Sequence, residues 1–377
     1  MLPQCLENLR ATLEALVLDD NNFHGRIPPM HPSACNLKTL SLQQNQLEGQ
    51  IPRSLANCKK LEILNLGNNQ ISDAFPIWLA VLQQLKVLVL RSNRFNGILG
   101  DPESKFSFPM LRIVVLSQNN FSGPLPAQFF SNWNEMKIED VSPLACMHSS
   151  FRRSIGGSNY HWDNDLYNIW FNNKGTKLQY DKTLDFFVAM DLSGNGFTGE
   201  IPTSIGNLYG LHMLNLSNNV LSGSIPTFLG NLRQLESLDL SRNKLTEEIP
   251  QQLVQLNFLE VFNVSENNLT GLIPQGKQFD TFQNSSYEVN PGLCGNPLSR
   301  TCRNSEALPP LTSGPEENED TRPSFEFGWR PVVIGYAGGF WAWLIAGYVV
   351  VTWKYEWFMK TFRISPQRRK RNQRRRN

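Results

Sequence analysis

Residues 37–52 read LKTLSLQQNQLEGQIP, and this stretch decides the fold. Its frame is Leu37, Leu40, Leu42, Asn45, Leu47, Gly49, Ile51 and Pro52, and the frame recurs on a ruler of about 24 residues. The asparagines at 21, 45, 69, 93 and 119, then at 195, 219, 243 and 267, mark each recurrence. Within LxL the strand period of two turns Leu40 and Leu42 inward and leaves Thr39, Ser41 and Gln43 on the opposite, open face. Stacked copies then bury a ladder of aliphatics without needing a globular centre. Asn45 stands where the chain leaves the strand. Its amide can donate to and accept from backbone groups that would otherwise be unpaired there, which predicts a stacked asparagine ladder.

Repeats of about 20 to 29 residues with this spacing are leucine-rich repeats. The GxIP ending, in Gly25-Arg26-Ile27-Pro28, Gly199-Glu200-Ile201-Pro202, Gly223-Ser224-Ile225-Pro226 and Gly271-Leu272-Ile273-Pro274, resembles the plant-specific extracellular class. The whole chain resembles plant receptor-like proteins, which carry this ectodomain, one membrane helix and no kinase. The resemblance implies an α/β-type repeat solenoid, a horseshoe or superhelix with a parallel β-sheet on its concave face, plus one transmembrane helix. In that family a non-repeat island precedes a last block of four repeats, and here 76 residues separate Asn119 from Asn195. The expected divisions are repeats over 1–126, an island over 127–186, four repeats over 187–274 and a cap over 275–303. An acidic spacer follows over 304–329, then a membrane helix over 330–353 and a basic cytoplasmic tail over 354–377. Asp73 and Glu247 replace the repeat glycine, and Gly100 stands where proline is expected after Leu99. A solenoid tolerates such irregular units, and no function is assigned to them.

The formal net charge of +2 hides an asymmetry: residues 354–377 hold ten Lys or Arg against Glu356, which makes the tail +9 and the rest −7. That disfavours nucleic acid as a partner of the repeats. The opening MLPQCLENLRATLEAL lacks the basic start and apolar run of a secretory signal. Pro3, Leu6, Asn8 and Leu9 instead match the second half of a repeat, with no polar cap before it, so a truncated piece of a longer receptor or an incomplete gene model is expected. Residues 275–302 are similar to the C-terminal cap of plant repeat ectodomains, and Cys294 and Cys302 are expected to form a disulfide there. Cys35 and Cys58 are expected as small unbonded hydrophobes just before their strands. Cys5 and Cys146 have no assigned role.

Pro331 to Trp353 is a run of 23 residues without a charge, long enough to cross a hydrocarbon core of about 30 Å. Trp329, Trp353, Tyr355 and Trp357 mark the interfaces. The cationic tail places the C-terminus in the cytosol and the repeats outside a plasma membrane. Gly335 and Gly339 form a GxxxG helix contact, although glycine is also simply common in membrane helices. By resemblance, the helix it would meet belongs to a receptor-like kinase. The five histidines, His24, His31, His148, His161 and His212, fall in no metal-ligand spacing, and the tail is too short for a kinase core. No catalytic residue, metal or cofactor is expected.

The open face divides into two chemistries. After the island it presents Asp191, Asn215, Asp239 and Asn263, with Ser193, Ser217, Ser241 and Ser265 beside them. Before it come Ile63, Val87, Val89, Arg91, Ile113 and Val115. Adjacent exposed aliphatics would mark a ligand site, which makes Val87, Val89, Arg91, Ile113 and Val115, with island residues Trp162 and Trp170, the candidate ligand contacts. The alternatives are that these residues serve strand propensity or lie under the island. Sequons at Asn120, Asn215, Asn263, Asn268 and Asn284 are candidate glycosylation sites. By resemblance the partners would be an extracellular peptide, protein or glycan ligand, a receptor-like kinase at the membrane, and a co-receptor kinase at the C-terminal repeats. The role implied is plant defence, with developmental peptide perception or a non-signalling truncated or wall-binding repeat protein as alternatives.

Overall fold

Each LxL segment forms a three-residue strand, and nine such strands pair in parallel in one sheet. Their order is Ala15–Val17, Thr39–Ser41, Ile63–Asn65, Val87–Val89, Ile113–Val115, Ala189–Asp191, Met213–Asn215, Ser237–Asp239 and Val261–Asn263. The computed structural model describes residues 1–3, 13–29, 35–100, 108–139 and 187–302, and also the backbone of the strands Arg152–Ile155, Ser158–His161, Ile169–Asn173 and Thr176–Tyr180. Register advances one repeat at a time, with Leu40 opposite Leu64 and Leu64 opposite Leu88. It also crosses the long interval directly, because Val114 pairs with Met190.

The period of two sets the core. Leu40, Leu64, Leu88, Leu214 and Leu238 lie on one side of the sheet, buried with Leu42, Leu66, Leu90, Leu216 and Leu240. Each buried leucine contributes about 1.5–3 kcal/mol, so a layer stabilises its neighbours although none could stand alone. The asparagines are rungs between layers. Asn45 Nδ2 donates to the carbonyls of Leu18, Leu42 and Gln43 at 2.9, 3.1 and 3.1 Å, while its Oδ1 accepts from the Phe23 amide at 3.0 Å. Each rung therefore bonds backbone of its own and the preceding repeat, not the next asparagine.

The GxIP segments pair on the flank in runs of three, five and two strands. The breaks fall at Asp73 and Glu247, the two positions that lack glycine, where only isolated bridges, Ala74 to Asn96 and Glu248 to Thr270, remain. Asp73 compensates with its carboxylate, which accepts from the Ile51 and Ala74 amides at 3.2 and 2.9 Å. Opposite the nine-stranded sheet lie short 3-10 turns such as Arg53–Asn57, Thr203–Asn207 and Thr227–Asn231, each preceded by the proline of its IP pair. Proline fixes φ there and surrenders an N–H that the first turn could not use.

Two expectations are corrected. Residues 127–139 belong to the repeat stack and not to an island. The helix Ala127–Ser131 occupies the place of a 3-10 turn, Phe129, Phe130, Trp133 and Met136 are buried in the main core, and Met136 O accepts from the Gly210 amide at 3.0 Å. Cys35 and Cys58 are bonded to each other, with S–S 2.01 Å and Cα atoms 4.7 Å apart. Their separation of 23 residues is one repeat, which sets them side by side in neighbouring layers.

At the C-terminal end Phe262, Phe279, Phe282 and Tyr287 pack ring against ring. Asn290 adds one more rung, donating to Val264 O at 2.9 Å and accepting from the Leu269 amide at 3.0 Å. Cys294 and Cys302 are joined by a disulfide. Among the described residues no helix is long and apolar enough to cross a membrane. The segment 330–353, with Gly335 and Gly339, lies outside the described residues, as do Trp162 and the side chain of Trp170.

Candidate recognition face

Each strand sends its first and third residues, and the residue two further on, to the open face, so the face is a grid of three rows. Its aliphatic sector is not exposed. Ile63, Val87, Val89, Ile113 and Val115 form a second hydrophobic cluster with Phe187, Ala189 and Met213. Val87 and Val115 are 0% exposed. Set side by side at the strand spacing of about 4.8 Å, with Phe187 and Met213 packed in the same cluster, these residues are withdrawn from solvent. They are not a free ligand surface. Arg91 beside them is half-buried, and burial lowers the pKa of its guanidinium while nearby Asp191 opposes that shift.

The polar strip is also less available than its composition implies. Asp191 Oδ1 accepts from the Ser193 amide at 3.1 Å and from Ser193 Oγ at 2.6 Å. The same pair of bonds recurs from Ser217 to Asn215 and from Ser241 to Asp239. The repeated Asp/Asn-x-Ser is thus a local brace. Burial raises the carboxyls of Asp191 and Asp239 above the ordinary aspartate value, and their serine bonds oppose the rise. At the other end Asp19 accepts from Ser41 Oγ at 2.6 Å and from the Gln43 side chain at 3.2 Å, and Gln43 Oε1 in turn accepts from Asn65 Nδ2 at 3.0 Å.

An accessible sector lies towards the C-terminal end, where Asp239, Val261, Asn263 and Ser265 are half-exposed and Glu260 is exposed, and at the opposite end Ala15, Val17 and Asp19 are half-exposed as well. Its border is His212, whose Nδ1 accepts from the Val188 amide at 3.3 Å and whose ring meets Phe187 at 5.6 Å. Burial lowers the His212 pKa, and Glu236 opposes the shift. Among the described residues no group of three His, Cys, Asp or Glu stands close enough to hold a metal ion. The sequons divide in the same geometry. Asn120, Asn268 and Asn284 are exposed, Asn263 is half-buried and Asn215 is buried.

Comparison with known proteins matches this geometry. The leucine rich repeat family profile covers residues 35–95 and 188–245. Receptor-like protein 7 of Arabidopsis thaliana is 50% identical over 278 residues, 73% of this chain and 28% of that protein. Receptor-like protein 54 of the same plant is 44% identical over 368 residues, 96% of this chain and 45% of that protein. The chain is a homologue of the plant receptor-like proteins. This receptor-like protein homologue spans 28% and 45% of those two relatives, less than half of either. Its fold is similar to the ectodomain of the Arabidopsis receptor kinase HAESA, solved in complex with an N-terminal extended IDA peptide hormone ligand. That likeness has TM-score 0.54 and 29% identity and covers 78% of this chain and 40% of the other.

Proposed function

We propose that the protein is a single-pass cell-surface receptor-like protein that recognises an extracellular peptide or protein on its open face. It signals, in plant defence, through a receptor-like kinase recruited at its membrane segment. The observation that carries the reading is the accessible sector at Asp239, Val261, Asn263 and Ser265, set on an uninterrupted parallel sheet. The sector spans the two strands Ser237–Asp239 and Val261–Asn263, about 4.8 Å apart, a footing for a short extended segment. Hydroxyl, amide and carboxylate groups at fixed intervals suit the backbone and polar side chains of such a segment.

The burial of Val87, Val89, Ile113 and Val115 moves the proposed contact away from them and towards the last repeats. The test is mass spectrometry of proteins and peptides co-purified with a tagged full-length protein, beside an Asp239→Lys, Val261→Lys double variant. A kinase partner retained by both and a ligand lost from the variant are expected. If the two forms captured the same set, the assignment of this face would be wrong, and absence of any receptor kinase would remove the signalling reading.

A further inference from the structure

Backbone hydrogen bonds carry the sheet register past its last strand. Val264 donates to Ser286 O and Glu266 donates to Glu288 O, both at 2.8 Å. One repeat earlier Leu240 donates to Asn263 O and Arg242 to Ser265 O at 2.8 and 2.9 Å. With Asn290 as the matching rung, Ser286 and Glu288 continue the rows of Asn263 and Ser265, while Asn284 opens a 3-10 turn and its carbonyl accepts from the Tyr287 and Glu288 amides at 2.9 and 3.1 Å. Asn284 therefore stands two residues before Ser286, at the C-terminal edge of the open face.

Asn284 is exposed, opens the turn Asn284–Ser286 and begins the sequon Asn284-Ser285-Ser286. Among the described residues its side-chain amide makes no hydrogen bond. The other sequons differ: Asn215 is 5% exposed and Asn263 is half-buried, and both hold a serine amide through Oδ1. Asn120 and Asn268 are exposed, but each directly follows a rung and leads into a flank strand. Asn284 is thus the sequon at which a glycan would stand at the end of the face.

We propose that Asn284 carries an N-linked glycan that closes the C-terminal end of the recognition face, so that the ligand track stops at Val261. The transfer forms a bond from sugar C1 to Asn284 Nδ2 and breaks the bond from C1 to a lipid diphosphate oligosaccharide. The amide proton departs with the lipid diphosphate. The inference rests on the extracellular placement proposed above, and the flank sequons separate the two.

The test is glycopeptide mass spectrometry and hydrogen–deuterium exchange on the full-length protein expressed in plant cells. Occupancy is expected at Asn120, Asn268 and Asn284. Asn284→Gln and Ser286→Ala, which removes the sequon while keeping Asn284, should each lose the Asn284 glycan alone and show raised deuterium uptake over residues 258–266. Occupied Asn120 and Asn268 with a bare Asn284 would overturn this inference alone. No occupied sequon would overturn the extracellular placement as well, and an occupied Asn284 whose loss left uptake unchanged in both variants would overturn the capping.

Discussion

The amide of Phe121 donates to Oδ1 of Asn195 at 3.1 Å although 74 residues separate them. Asn195 Nδ2 also donates to Leu116 O at 3.1 Å, so the rung after the long interval grips the repeat before it as Asn45 grips its own predecessor. Phe121 continues the bond into the core, stacking on Phe197 at 6.3 Å with planes 11° apart. The solenoid is thus one structure across the insertion.

That rung should be costly to remove. Asn195→Ala strips the partner from the Phe121 amide and removes one of two donors from the carbonyls of Leu116, Leu192 and Ser193, which keep Asn119 Nδ2, Asn219 Nδ2 and the Gln118 amide. The one amide left unpaired costs about 1–3 kcal/mol. Asn21→Ala removes only exposed bonds to Leu18 O and Asp19 O and should cost under about 1 kcal/mol. Urea unfolding of both variants checks the contrast, and equal losses would deny the rung its role.

The two positions without glycine should respond oppositely. Glu247 holds φ at +65°, where the equivalent Gly199, Gly223 and Gly271 sit at +75°, +77° and +83°. A left-handed residue with a side chain is strained by about 1–2 kcal/mol, so Glu247→Gly should stabilise by about 1 kcal/mol after glycine's own entropy cost. Asp73 has no positive φ and its carboxylate bonds two amides. Asp73→Gly should therefore destabilise by about 1 kcal/mol. Thermal melts of the pair decide the matter, and a shared sign would show that these side chains play no distinct parts.

Much of this was legible in the sequence. The 24-residue ruler contains the sheet, the core and the rungs because stacking makes each period one layer. The Cys35–Cys58 bond was legible on the same ruler, since a separation of 23 residues means adjacent layers, but each cysteine taken singly looks like a buried hydrophobe. Asn290 carried the signal Tyr-x-x-Asn, with tyrosine in the leucine slot. The burial of Val87 and Val115 was not legible. A period of two tells which side of a sheet a residue faces and says nothing of what else packs there.

The Cys35–Cys58 bond closes a chain separation of 23 residues, and a loop of that size is worth about 3 kcal/mol of stability. Cys35→Ser should lower the unfolding free energy by that amount, and the wild type and the variant should become equal when both are in dithiothreitol, which also opens Cys294–Cys302. If reduction left stability unchanged, the bond would contribute nothing to the native state.

Asp239 offers a pH test with a built-in control. Burial raises its pKa, so the folded state holds the proton more tightly than the unfolded chain does. Between the ordinary aspartate value and the raised one the native state binds more protons, so this group's contribution to stability falls as pH rises through that window and stays low above it. Asn215 makes the same two serine bonds with a neutral amide. Asp239→Asn should therefore stabilise the protein at pH 7 and leave it unchanged near pH 3. Asp191→Asn should lack that gain, because Arg91 loses its nearby carboxylate. Unfolding curves at both pH values check this, and a gain for Asp239→Asn that was equal at pH 3 and pH 7 would rule out titration as the cause.

The last test contrasts two valines on one face. Val89 is 1% exposed within the aliphatic cluster, whereas Val261 is half-exposed at the accessible end. Both point away from the main core, and sequence alone treats them as equivalent. Val89→Asp forces a carboxylate among Val87, Ile113 and Val115, and an uncompensated buried charge costs about 3–5 kcal/mol. Val261→Asp meets water, and a surface substitution of that kind should change stability by about 0.5 kcal/mol or less. Ligand capture should nevertheless fall for Val261→Asp, because the new charge lies on the proposed track. Urea unfolding measured beside capture from plant extracellular fluid separates folding from recognition. A stable Val89→Asp that lost the ligand, beside a Val261→Asp that kept it, would return the recognition site to the aliphatic sector.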